Sequence, residues 1–220
     1  MHWAAALRIA FSGTPPTMLN HQSLWSLDGL TRGDLLTLIG SARQFQRAAA
    51  QAGSPPTPLR GKNLALLSDD HASAEATAFL RAATELGAQV ARVRATEPGD
   101  AGRRDPRDMA GLLGQLYDAI ECQGLGEGEL RELERDAGVP VFNGMASPSH
   151  PLHAIATLMA LQEQQGEQPL PARGAARQVA GLLGLPLDEI AGAAPTPPSE
   201  EAVARHTHHL LQAALSCTLA

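Results

Sequence analysis

The chain has 220 residues, 44% of them hydrophobic and 18% charged, with a formal charge of -6 at pH 7. That length admits one large domain or two small ones, and the composition excludes a fibre or a disordered chain. Lys62 is the only lysine, so the clustered basic face that nucleic acid demands is absent, and no apolar run reaches a membrane-spanning length.

Neither nucleic acid nor membrane is therefore an expected partner. Cys122 and Cys217 stand far apart and match no metal or redox spacing, which predicts reduced structural thiols in a cytoplasmic protein. No P-loop, Gly-x-Gly-x-x-Gly or Gly-x-Ser-x-Gly occurs, so no cofactor or nucleophile elbow is expected.

In chain order, residues 1–20 carry Gly13 and Pro15-Pro16 and are expected to lie outside the regular fold. Thr31 with Asp34 makes a helix-capping pattern, followed by Leu35, Leu38, Ile39, Ala42 and Phe45 at helical spacing up to the Pro55–Pro58 loop. The apolar run Leu64–Leu67 predicts a strand. A polar loop follows, and then Phe79, Ala82, Ala83 and Leu86 predict a helix.

Gln89–Arg94 alternates as a second strand, and Thr96–Asp105 is a polar loop. Pro106 opens a helix with Met109, Leu112, Leu113 and Leu116 on one side. Asp118–Cys122 predicts a third strand, Leu130 and Leu133 a helix, and Val139–Phe142 a fourth strand. Pro151 begins a helix through Leu152, Ile155, Ala156 and Met159 as far as Gln165. Alternation at this spacing predicts an α/β fold: a four-stranded parallel sheet with helices on both faces.

The run Gly61–Leu67, Phe79 and Ala82–Gly87 resembles the carbamoyl-phosphate-binding half of the ornithine and aspartate carbamoyltransferases. Tyr117–Ile120, Ala137–Gly144 and His150–Ala156 are similar to the same family, and the likeness spans roughly residues 24–166. It implies a single N-terminal-type domain over residues 21–166. Residues 167–198 form a Pro, Gly and Ala-rich linker with one short helix, Arg173–Leu183, where the family has its second domain. Residues 199–220 are the helix that returns to the α/β domain. Because this domain carries a threefold contact in the family, the resemblance also implies a homotrimer, or a mixed oligomer with an active carbamoyltransferase.

Chemistry is expected where the first strand meets its helix, since ligands and anions collect at strand carboxyl ends and helix N-termini. The expected cleft comprises Ser68, Asp69, Asp70, His71, Ser73, Gln123, His150 and His153. The family's loop reads Ser-Thr-Arg-Thr-Arg, and the matching positions are Ala72, Ser73, Ala74, Glu75 and Ala76. Its next arginine matches Gln123, and the Gln after its His-Pro pair matches His153. His150 is the one retained family position, implied to face the carbamoyl oxygen, and it can equally cap the helix at Pro151.

A guanidinium fork matches phosphate and neither alanine nor a carboxylate replaces it, so the loop is expected to repel the family's substrate. The expected function is a catalytically inactive subunit. The alternatives are a residual carboxyl- or carbamoyltransferase acting on an amino acid, or a metal or small-molecule binder. Asp69, Asp70, His71, His150 and His153 form a candidate metal set, although Asp in such loops commonly caps. His206, His208 and His209 are expected on a solvated helix face, where His206 and His209 can also share an ion.

Overall fold

Strands β1 (Asn63–Leu67), β2 (Gln89–Val93), β3 (Ala119–Cys122) and β4 (Val141–Asn143) pair in parallel in the order β2-β1-β3-β4. The computed structural model describes residues 24–25, 27, 30–51, 56–94, 106–165, 170–187 and 197–220. The expected irregular segment 1–20, the loop Thr96–Asp105 and parts of 167–198 lie outside them.

Seven helices are described: α1 (Arg32–Ala50), α2 (Ala74–Glu85), α3 (Pro106–Leu116), α4 (Glu127–Ala137), α5 (Pro151–Gln165), α6 (Gly174–Leu183) and α7 (Glu200–Leu219). Alternating side chains of the strands feed two apolar layers, because successive residues point to opposite faces. Leu64, Leu66, Ala119 and Phe142 join α1, α2, α5, α6 and α7 in the larger layer. Ala65, Ile120, Cys122 and Val141 meet Leu113 of α3 and Leu130 of α4 in the smaller one. The sheet is thus covered on both faces, as the alternation of elements predicts.

Local chemistry explains the ends of these elements. Thr31 and Asp34 close a reciprocal capping box at the start of α1. Ser73 accepts from Ala76 N-H at the start of α2, and Ser199 does the same for Ala202 in α7. The fourth strand begins at Val141 rather than Val139, since Gly138 ends α4 in the left-handed conformation and Pro140 contributes only its carbonyl, to Ile120.

Helix α3 departs from its expected face. Leu113 packs inward, whereas Leu112 and Leu116 are 46% and 56% exposed. The reason is the close approach of α4: a Cβ on Gly114 would stand 1.9 Å from the Ala137 carbonyl oxygen. In an ordinary helix interior Gly→Ala gains up to about 1 kcal/mol. Here Gly114→Ala is expected to lose roughly 2 kcal/mol through overpacking, read as a lower midpoint in urea with unchanged slope.

Helix α5 is apolar nearly all round because it lies between the sheet layer and α7. Helix α7 packs on α1, α2 and α5 together. Leu170 and Leu187, flanking α6, form an isolated parallel bridge, so this short stretch is a miniature strand-helix-strand unit.

Candidate functional site

The strand order places a topological switch between β1 and β3: the chain leaves β1 toward β2 on one side and returns to β3 on the other. In open α/β sheets the crevice at that point is where ligands are held. Ser68 follows β1 and Gln123 follows β3, and the Ser68 hydroxyl donates across the crevice to Gln123 Oε1 at 2.8 Å. Ser73 Oγ lies 3.4 Å from the same oxygen. These three expected residues do meet, and they meet each other.

The loop between β1 and α2 satisfies itself. Asp70 N-H donates to Ser68 Oγ at 3.1 Å, Ala72 N-H to Asp70 Oδ1 at 2.9 Å, and Ala76 N-H to Ser73 Oγ at 3.1 Å. Asp70 and Ser73 therefore act as caps, and the N-H groups of Asp70, Ala72 and Ala76 already have acceptors. Asp69 is exposed on the same turn.

His71 turns the other way. Its Nε2 lies 3.3 Å from the Leu66 carbonyl and 3.2 Å from the Val93 carbonyl, so that nitrogen carries the proton. Across the cleft, His150 is buried at the start of α5, and its Nδ1 accepts from Leu152 N-H at 3.2 Å. It caps the helix. Burial pulls its pKa down to about 4, against a smaller opposing contribution from the Leu24 backbone. His153 sits half-buried on the next positions of α5.

The candidate metal set Asp69, Asp70, His71, His150 and His153 is thus not gathered: among the described residues no three His, Cys, Asp or Glu side chains are grouped to hold an ion. The expectation for α7 needs a larger correction. His206 and His209 are buried, not solvated, because three helices pack around α7. His206 Nε2 lies 3.1 Å from Glu163 of α5 in an ion-pair approach that is not aligned as a hydrogen bond, and His208 Nε2 lies 2.8 Å from Glu85 of α2. Burial lowers the pKa of both His206 and His209.

One polar residue that sequence reasoning read only as strand is Glu121. It is 1% exposed, on the same face of β3 as Phe142 of β4 and pointing into the larger apolar layer. Met145 N-H donates to its Oε1 at 3.0 Å, while Oε2 has no partner among the described residues. Burial raises its pKa to about 8, the Met145 and Gly144 amides oppose this, and the charge of Glu75 adds to it. An acid inside a short apolar parallel strand is the signal that could have found it.

Comparisons with known proteins agree with this architecture. The family described as aspartate/ornithine carbamoyltransferase, carbamoyl-P binding domain, matches residues 22–163. An ornithine carbamoyltransferase of Actinobacillus pleuropneumoniae is 34% identical over 152 residues, covering 69% of this chain and 45% of that protein. A catabolic ornithine carbamoyltransferase of Pseudomonas putida is 32% identical over the same span length of 152 residues. Among solved structures, ornithine carbamoyltransferase from Pyrococcus furiosus is 25% identical with a TM-score of 0.58, covering 68% of this chain and 47% of that one. Aspartate transcarbamoylase from Trypanosoma cruzi in complex with carbamoyl phosphate shares the fold, with a TM-score of 0.59 at 21% identity over 70% of this chain and 51% of that one. The chain spans about half the length of the relatives it matches. With a switch-point sheet of this order and a family match over most of its length, the chain belongs to the aspartate/ornithine carbamoyltransferase family, through its carbamoyl-phosphate-binding domain.

Proposed function

We propose that this carbamoyltransferase-family chain does not hold carbamoyl phosphate, performs no carbamoyl transfer, and serves as a structural or regulatory subunit of an oligomer. The observation that carries this reading is the closed hydrogen bonding of the β1-α2 loop, where Ser68, Asp70 and Ser73 occupy the N-H groups of Asp70, Ala72 and Ala76. An anion seated on those three groups would have to displace these acceptors, giving up about 1 kcal/mol for each bond broken.

Charge points the same way. Positions 74 and 76, which match the family's loop arginines, are alanine, and Ala76 is packed in the core. Glu75 stands between them. A carboxylate at contact distance from a phosphate opposes it by roughly 1–4 kcal/mol between bulk water and an intermediate dielectric. Gln123, at the remaining arginine position, spends its oxygen on two serine hydroxyls.

In this reading residues 21–166 form the binding-type domain, 167–198 connect it, and 199–220 complete its core as the returning helix. Exposed Leu112 and Leu116 on α3, and Leu182 on α6, favour assembly, as a homotrimer or beside an active carbamoyltransferase. Light scattering and a transfer assay test both halves. An oligomer that forms no carbamoyl product from carbamoyl phosphate with ornithine or aspartate is expected. A strict monomer removes the assembly role, and turnover removes the inactive one.

A further inference from the structure

The two halves of α7 are packed differently. Leu210, Leu211, Ala213, Ala214, Leu215 and Cys217 fill the second half and lie in the larger apolar layer. The first half, residues 200–209, adds only Val203 as a buried hydrophobic side chain, with Ala202 packed against the layer from its edge. Cavities of about 1000 Å3 and about 680 Å3 flank this half, one bordered by Ala204 and Arg205, the other by Val203 and Thr207, and His208 borders both. Both ring nitrogens of His206 and the Thr207 hydroxyl are buried without an aligned hydrogen-bond partner among the described residues.

Charge is what fastens it. Glu163 of α5 meets Arg205 at 2.7 Å and His206 at 3.1 Å, and Glu85 of α2, itself paired with Arg81, meets His208 at 2.8 Å. Arg43 of α1, with Arg47 acting on it, brings further positive charge to His206 and Glu163. Glu200 and Glu201 stand exposed in the first turn of α7.

We infer that residues 200–209 form an acid-released arm, which leaves α2 and α5 in mild acid while residues 210–219 stay packed. Few apolar contacts, adjoining cavities and unpaired buried polar atoms mark a segment that opens at less cost than global unfolding. Protons arriving on His206 and His209 add like charge to a seam that already holds Arg43, Arg81 and Arg205 against two carboxylates.

Burial is the first cause that lowers the pKa of both histidines; Arg205 and Arg43 add to it at His206 against Glu163, and His208 and His206 add to it at His209 against Gln212 and Glu85. The docked arm therefore prefers neutral imidazoles, whereas a released arm takes up protons near an ordinary 6.5. Docking is fully supported above that pH and weakens as pH falls below it. Despite burial, Glu85 and Glu163 are held below their ordinary 4.5, so they stay ionised through this range and the step belongs to the histidines. Release uncovers Ala74 and Ala78 of α2, which both cavities share, so acid changes the surface that this side of the chain presents.

Amide hydrogen exchange of the full chain at pH 7 and pH 5, corrected for intrinsic rates, tests it. Protection at residues 204–209 is expected to fall about tenfold on going to pH 5, while residues 214–218 and β1 change by less than about threefold. In the double variant His206→Gln with His209→Gln, the fall at residues 204–209 is expected to shrink to about twofold or less. Glu163→Gln, at an exposed α5 position, is expected to lower protection at residues 204–209 already at pH 7 and to leave β1 unchanged. Protection at residues 204–209 that is the same at both pH values in the parent, or that falls equally in β1, overturns the inference. A full tenfold fall in the folded double variant overturns it too, as does a Glu163→Gln protein whose residues 204–209 are as protected as the parent's.

Discussion

Replacing Glu121 by glutamine is expected to stabilise the protein increasingly with pH, the advantage over the parent growing by about 3 kcal/mol from pH 5.5 to pH 9. The carboxyl is raised to about 8 in the fold from an ordinary 4.5, with burial the first cause. A raised acid favours its neutral form when folded. Its contribution is therefore fully present below pH 4.5 and is lost as pH rises through 8. At one pKa unit per about 1.4 kcal/mol the full span is roughly 5 kcal/mol, and glutamine, which never ionises, escapes it. Glutamine also keeps an oxygen for Met145 N-H, so the variant isolates charge from shape. Urea unfolding of both proteins at pH 5.5, 7 and 9 gives the result. Parallel stability curves would mean that Glu121 is ionised at no cost, contradicting its burial.

The histidines act in the opposite direction, and Glu121 masks them. Burial lowers His150 from 6.5 to about 4, and lowers His206 and His209 as well. A lowered histidine favours its neutral form in the fold, so the unfolded chain takes up protons first and stability falls as pH drops below 6.5. His150 alone accounts for roughly 3 kcal/mol by pH 4. Glu85 and Glu163 are held below their ordinary pKa despite burial, by Arg81 and His208 and by His206 and Arg205 respectively. Their stabilisation is present above pH 4.5 and is lost below it, which deepens the acid loss.

Between pH 7 and 4.5 the gain from Glu121 and the loss from His150 nearly cancel in the parent. In the Glu121→Gln background the cancellation is removed, and a loss of about 3 kcal/mol or more is expected over that range. Adding His150→Asn, whose amide oxygen can still accept from Leu152 N-H, is expected to remove most of the His150 share. A flat stability between pH 7 and 4.5 in the Glu121→Gln protein would contradict the buried, neutral state of His150.

Much of the fold was legible because local signals and global packing agree. The Thr31–Asp34 box, the Leu64–Leu67 run and the spacing of Phe79, Ala82 and Ala83 each set an element that burial then confirms. Leu112 and Leu116 were misread since helical spacing alone does not say which side a neighbouring helix approaches, and Gly114 brought α4 against the other side. His206 and His209 were misread for a related reason: polar residues on a final helix look solvated until three helices surround it. In the site, the sign of the loop was plain from Asp69, Asp70 and Glu75. The hydrogen bonds that close it, and the buried Glu121 beneath it, depend on tertiary placement, which neither spacing nor composition encodes.

Calorimetric titration of the full chain with carbamoyl phosphate, up to millimolar concentration at pH 7.5, bears most directly on the claim that this cleft has exchanged an anion's donors for its own acceptors. No saturable heat is expected. Saturable binding at micromolar carbamoyl phosphate would contradict it, because a loop that has alanine at the family's arginine positions and whose Asp70, Ala72 and Ala76 N-H groups are engaged lacks the donors to hold that substrate so tightly.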